Sequence, residues 1–237
     1  MFQVKKYVAF SLILCAAAAA GAMLLSRLGT ASAVWSHTEE PSPVVMIDAG
    51  HGGEDGGAAS VTGLRESSLN LEISLRLNDF LNFLGIRTCM IRTTDVSVYT
   101  EGDTIAQKKV SDIHNRVRLT EAIPKGVLVS IHQNYFPEAQ YRGAQIFYGP
   151  EESSKALALA MQSMISAQVD PHNHRECKPA RNIYLMDHVT CPAVLVECGF
   201  LSNYEEEQLL RDSGYQKKLT AALSCCIFQF LEASNEV

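Results

Sequence analysis

Three apolar runs in this sequence end in residues that bind metals or move protons. VVMIDAGHGG leads from Val44 into Asp48 and then delivers His51 among glycines. VLVSIHQN delivers His132 and Asn134, and AVLVECGF delivers Glu197. A fourth group, Glu66, opens a helical stretch, where the positive end of the helix dipole favours an ionised carboxylate. Two imidazoles and a carboxylate make a His2Glu set, which binds zinc and leaves a position open for water. Bound zinc lowers the pKa of that water toward about 7 and polarises a carbonyl oxygen. Glu197 would then be the spare carboxylate, free to take the water's proton and return it to a departing amine. Together these residues describe the chemistry of amide hydrolysis.

Each residue also has a plainer explanation. A histidine in a glycine loop commonly serves as a hydrogen-bonding loop residue, His132 could bond backbone at a strand end, and Glu66 could be an ordinary first-turn acid. Glu197 is hardest to explain that way, because a carboxylate following Val194, Leu195 and Val196 faces burial and needs a partner or a function. His172, His174 and Cys177 form a small His/Cys tract that reads as a polar loop, and His114 and His188 read as structural. HGG resembles an oxyanion loop, but no G-x-S-x-G elbow accompanies it, which argues against a serine hydrolase. Cys198 with a histidine base is the cysteine-hydrolase alternative.

These groups need elements to position them. Val44 to Asp48 reads as a buried parallel strand, followed by a glycine loop from Gly50 to Gly63. Leu69, Ile73, Leu77, Phe80, Leu81 and Leu84 recur at helical spacing until Gly85. Strands are expected at Ile86 to Arg92, Gly126 to His132, Gly143 to Tyr148 and Ala193 to Glu197. Helices are expected at Val110 to Ala122, with Ile113, Val117 and Leu119 inward, and at Ser153 to Gln168. Thr93 to Lys109 has no clear assignment, and Pro171 to Arg181 is polar and irregular. Asn203 with Glu206, and Ser213 with Gln216, look like capping pairs for the last two helices. The alternation predicts an α/β fold with a central mixed or mostly parallel sheet, helices on both faces and the site at the strand carboxyl ends.

The chain has 237 residues, room for one medium domain and an appendage. With 20 Lys and Arg against 26 Asp and Glu, net charge −6, it has no basic stripe and no expected nucleic-acid partner. Lys5 and Lys6 precede an apolar stretch from Tyr7 to Leu25, then Arg27 and Ala31-Ser32-Ala33. Residues 1–33 are therefore expected to direct export, as a cleaved signal peptide or as an anchor spanning the membrane. Residues 34–43 read as a linker and 44–233 as the catalytic domain. Six of the seven cysteines lie beyond the apolar stretch and lack a disulfide framework; most read as small buried apolar residues.

DAGHGGEDGGA, RESSLNLEIS, SIHQN and PAVLVECGFLSN, in this order, resemble the motifs of the zinc-dependent N-acetylmuramoyl-L-alanine amidases, the Amidase_3 domain. NIYLMDHVTCPAVLVECGFLSN is most similar to the germination-specific, CwlD-type amidases of spore-forming bacteria. The resemblance implies that His51, Glu66 and His132 hold Zn2+ and that Glu197 is the catalytic acid/base. It also places Asn134 beside the substrate. The implied reaction cleaves the amide between N-acetylmuramic acid and L-alanine of peptidoglycan. By the same resemblance it trims spore cortex beyond the cytoplasmic membrane, ahead of a deacetylase that completes muramic-δ-lactam for germination, and works with an accessory lipoprotein. Two positions depart from the family pattern: Ala49 stands where proline is usual, and bulky Tyr135 follows Asn134. A zinc peptidase cutting within the stem peptide and a non-catalytic wall-binding protein are the alternatives.

Overall fold

Alternation along the first strand, β1 (Val44–Ala49), decides how the sheet divides its surroundings. Val45 and Ile47 enter one buried apolar layer and Met46 the other, as the two-residue period of a strand requires. The computed structural model describes residues 42–235. Within it β1 joins β2 (Arg87–Met90), β3 (Gly126–Asn134), β4 (Gln145–Tyr148), β5 (Lys178–Pro179) and β6 (Ala193–Phe200) in one sheet, ordered β2-β1-β3-β6-β4-β5. Neighbours β2, β1, β3 and β6 run parallel, while β4 lies antiparallel to β6 and parallel to β5. The expected mixed sheet is present.

The first layer is closed by α1 (Glu66–Phe83), α3 (Glu152–Met164) and the long C-terminal α6 (Ser213–Asn235). From α1, Leu69, Ile73, Leu77 and Leu81 face inward one turn apart and share this layer with Leu219, Leu223 and Ile227 of α6 and with Leu157 and Met161 of α3. On the opposite face Leu128 and Leu195 meet Leu185 and Met186 of α4 (Tyr184–His188) and the partly buried Ile113 and Val117 of α2 (Ile105–Glu121). Helices thus cover both faces, as expected. A short α5 (Tyr204–Arg211) follows β6.

Several local expectations need correction. Helix α2 starts at Ile105 rather than Val110, because Thr104 and Gln107 form a reciprocal capping box. Ile105 and Val110 are exposed, so hydrophobic periodicity gave no sign of that first turn. Leu119, expected inward, is also exposed. Asn203 does cap α5, accepting from the amides of Glu205 and Glu206, but the Glu206 side chain turns away to the amides of Phe200 and Gly143. The last helix is capped by Asp212, which accepts from Tyr215 N, and not by Ser213. Of the six described cysteines, all free, only Cys198 and Cys226 are buried; Cys89 and Cys225 are exposed.

Residues 1–41, which include the expected signal or anchor and most of the linker, lie outside the described residues. Among the described residues, no helix is long and apolar enough to cross a membrane.

Strand register positions the site. Asp48 pairs with Ser130 across β1 and β3, and His132 with Glu197 across β3 and β6, so the chemical residues gather at the carboxyl edge of the parallel strands. Antiparallel β4 begins at that same edge, with Gln145 opposite Glu197. Since α1 must hold Glu66 against this edge, its packing is a direct test of the scaffold. Leu77→Ala should lower the unfolding free energy by about 2–5 kcal/mol, read from urea denaturation, because a fully buried side chain leaves a cavity between sheet and helix.

Candidate metal centre

The loop after β1 turns sharply, and His51 takes φ 60°, a left-handed conformation that is uncommon for a side-chain-bearing residue. Two buried arginines hold it there. Arg116 of α2 donates to the carbonyls of Ala49 (3.0 Å) and His51 (2.8 Å) and pairs with Asp48. Arg92, just past β2, donates to the carbonyls of Ala49 (2.7 Å), Gly50 (3.0 Å) and Ser67 (2.8 Å). Asp48 also accepts from Ser130 Oγ at 2.6 Å. Burial opposes ionisation of Asp48, but the Arg116 charge prevails and holds its carboxyl below the usual range.

With the backbone fixed, the side chains converge. His51 Nε2 lies 3.3 Å from Glu66 Oε2, and His132 Nδ1 lies 3.0 Å from Glu66 Oε1. The two imidazole rings meet edge to face at 5.1 Å. One ligand atom from each of His51, Glu66 and His132 falls within a group spanning 4.8 Å, and among the described residues this is the one such cluster. It could hold a metal ion. The His172, His174 and Cys177 tract forms no comparable group. Close approach depends on two glycines: a Cβ at Gly50 would run into the His132 ring, and one at Gly57, where φ is 67°, would strike Glu66 and His51.

A surrounding layer of hydrogen bonds orients the three. Asp55 Oδ2 takes His51 Nδ1 at 2.9 Å, leaving Nε2 turned to Glu66, and Lys109 holds the other Asp55 oxygen at 2.8 Å. Glu66 also accepts from the amides of Ala58 (2.9 Å) and Gln133 (3.2 Å) and from Asn70 Nδ2 (3.2 Å). Burial lowers the tendency of His51 to carry charge, yet its bonds to Asp55 and Glu66 outweigh this and raise its pKa to about 9. Burial likewise opposes charge on Glu66, but the two histidines hold it far below the carboxylate range. The cluster is therefore built to surround positive charge.

Glu197 stands apart from this network. Its Oε2 is buried and has no hydrogen-bond partner. Burial pushes its pKa up to about 7, with the histidine charges lowering it and Glu66 raising it. A carboxyl that titrates near neutrality can both accept and return a proton. Asn134 lies beyond an irregularity in the β3–β6 register; its carbonyl accepts from Leu201 N at 2.8 Å, and its side chain is unbonded among the described residues. All five residues singled out in the sequence thus lie along one edge, three of them in mutual contact.

The family model of N-acetylmuramoyl-L-alanine amidases, Amidase_3, matches residues 45–229. The chain belongs to this family. It is 34% identical over 195 residues to the germination-specific N-acetylmuramoyl-L-alanine amidase of Bacillus subtilis, covering 81% of each protein. Its fold is similar to the CwlD amidase from Clostridioides difficile, solved in complex with the GerS lipoprotein, with TM-score 0.77 and 37% identity over 80% of this chain and 98% of that one. An N-acetylmuramoyl-L-alanine amidase from Clostridium difficile 630 follows at TM-score 0.71 and 29% identity, covering 81% and 98%.

For an amidase of this family, the cysteine-hydrolase alternative has no support. Cys198 is fully buried in the first apolar layer, and burial pushes its thiol far above the ordinary range. His114 and His188 instead pack against Tyr184, with ring centroids at 4.9 and 3.8 Å. Sequence reading missed Asp55, Arg92 and Arg116. Asp55 was visible as an acid four residues past His51, but nothing in a glycine loop says which way it faces. Asp55→Asn should weaken metal binding about 10- to 100-fold in a chelator competition while leaving the circular dichroism unchanged. Unchanged affinity would remove the orienting role.

Proposed function

We propose that the protein hydrolyses the amide joining the lactyl group of N-acetylmuramic acid to L-alanine in peptidoglycan, with zinc held by His51, Glu66 and His132 and with Glu197 as the catalytic acid/base. The observation that carries this reading is the orphaned, buried Glu197 Oε2, placed across from His132 in the strand register. A buried carboxylate oxygen without a partner is costly for structure alone and useful for proton transfer. The donor set fits zinc: two imidazoles and one carboxylate, with His51 fixed in orientation by a second carboxylate. Zinc bound there supplies Lewis acidity, polarising the substrate carbonyl and lowering the pKa of the attacking water.

The chain's own residues do the rest. Glu197 takes the proton of the attacking water as the water oxygen bonds to the carbonyl carbon. It then passes that proton to the amide nitrogen as the C–N bond breaks, freeing the muramic lactyl carboxylate and the L-alanine amine. Asn134, on the same edge and with its side chain unbonded among the described residues, is the residue we assign to contact the substrate.

The finer setting rests on similarity to the germination-specific amidase and to the amidase solved with a lipoprotein. By that similarity the protein acts on spore cortex outside the cytoplasmic membrane, around the forespore, reached by export through its N-terminal segment as a signal or anchor. An accessory lipoprotein is its proposed partner, and a deacetylase acts next on the peptide-free muramic acid to complete the lactam.

Mass spectrometry of peptidoglycan digested with the full chain and zinc tests the reaction. Free stem peptides beginning with L-alanine are expected, whereas other new amino termini would indicate a peptidase, and unaltered linkages a binding protein. Glu197→Ala should lower turnover about 10²- to 10⁴-fold or more with zinc still bound. Retained turnover removes the assigned role. His51→Ala should lose the metal by elemental analysis, and an unchanged zinc content would overturn the ligand assignment.

A further inference from the structure

The polar, irregular segment before β5 carries a half-buried arginine that the chemistry above does not use. Arg175 lies over the Phe200 ring, its guanidinium carbon 4.4 Å from the ring centroid. Its Nε donates to Arg142 O at 2.6 Å and its NH1 to Gln145 Oε1 at 3.0 Å. Its own backbone amide is held by Asn173 Oδ1 at 3.0 Å. Gln145 is itself anchored, donating to Glu176 O at 2.8 Å, and it sits directly across the β4–β6 pair from Glu197. The guanidinium is therefore braced on the same edge as the candidate centre, one strand over from the proposed acid/base.

What Arg175 lacks is a direct ion pair. Among the described residues it forms no ion pair, and its NH2 nitrogen has no hydrogen-bond partner. The nearby Glu206 acts on it only at a distance: its charge favours the guanidinium, but its two oxygens accept from the amides of Gly143 and Phe200, each at 2.8 Å, and make no ion pair with Arg175. Burial disfavours the arginine's charge and outweighs the Glu206 carboxylate, lowering its pKa from the ordinary value. A stacked guanidinium with a planar fork and unused donors is the geometry that reads carboxylates.

We propose that Arg175, stacked on Phe200 and braced by Gln145 beside Glu197, is a specificity-determining residue that binds a carboxylate of the stem peptide. This rests on the reading of the protein as a peptidoglycan amidase. The carboxylate nearest the scissile amide is the α-carboxylate of the isoglutamate that follows L-alanine, and it is the group assigned to Arg175. The arginine would recognise the free acid and discriminate against a stem in which the same position is a carboxamide, because the exchange removes the charge and one acceptor oxygen while adding a donor that faces N–H groups.

The test uses two short muropeptides identical except for isoglutamate or isoglutamine after L-alanine. Calorimetric binding to the full-length Glu197→Ala protein reads recognition without turnover. The acid form should bind about 10- to 100-fold more tightly than the amide form. Arg175→Met should bind both equally within about twofold, and Arg175→Lys should keep part of the preference. Equal binding of the two muropeptides by the protein with Arg175 intact overturns the proposal, and this comparison needs no substitution at Arg175. So does a preference that survives in Arg175→Met. Discrimination in binding, together with failure of the Glu197-intact protein to cleave either compound, would uphold Arg175 as a carboxylate receptor and overturn the amidase reading instead.

Discussion

The buried pairing of Asp48 with Arg116 is the constraint from which the site follows. Taking both ions out of water costs several kcal/mol each, and such pairs often add little net stability. What this pair contributes is position. Asp48 is the next-to-last residue of β1, Ser130 of β3 holds its second oxygen, and Arg116 reaches over from α2, so one carboxylate ties together two strands and a helix. The same guanidinium then accepts the load of the next turn by donating to the carbonyls of Ala49 and His51. With Arg92 bonded to Ala49 and Gly50, every carbonyl from residue 49 to 51 is fixed from beneath. A histidine at positive φ persists because its surroundings over-determine it.

From that turn the polar order spreads outward in a defined sequence. Gly50 O receives Asn70 of α1, and Asn70 Oδ1 in turn receives Gln133 of β3. Glu66 sits between these elements, accepting from Asn70 and from the amides of Ala58 and Gln133 while facing both imidazoles. Its orientation is therefore set by three separate parts of the chain. Glu197, by contrast, enters from β6 with an unbonded buried oxygen. The site divides accordingly into a rigidly bonded set, suited to holding a cation, and one free carboxyl oxygen, suited to moving a proton.

Most of the architecture was legible because apolar periodicity and strand-end chemistry coincide. The α1 stripe from Leu69 to Leu81 and the runs ending at Asp48, His132 and Glu197 each carry their own signal. Arg92, Arg116 and Arg175 carried none. In sequence Arg116 looks like a solvated charge on an amphipathic helix, and only tertiary structure reveals that it is almost wholly buried against the β1 turn. The first turn of α2 was hidden for the opposite reason: its apolar residues Ile105 and Ala106 face solvent, so only the Thr104–Gln107 capping box marks it. The cysteines were misjudged because residue type predicts burial only on average, while Cys89 lies on the edge strand β2 and Cys225 on the outer side of α6.

The two departures from the family motif become intelligible on the same physical terms. Proline at position 49 would restrict that residue's own φ, whereas here the turn is held through the Ala49 carbonyl, which accepts from both arginines. A carbonyl is common to alanine and proline, so the clamp tolerates either side chain, and Ala49 is fully buried without disturbing it. Tyr135 follows the register irregularity that separates His132 from Asn134 and is 52% exposed. Just beyond it, Phe136 and Tyr141 meet edge to face at 4.7 Å, and Tyr141 stacks toward Phe200, the ring that supports Arg175. The loop after β3 therefore adds aromatic surface at the sheet edge that carries the candidate site. Bulk at position 135 adds to that surface, while His51, Glu66 and His132 keep their mutual contacts.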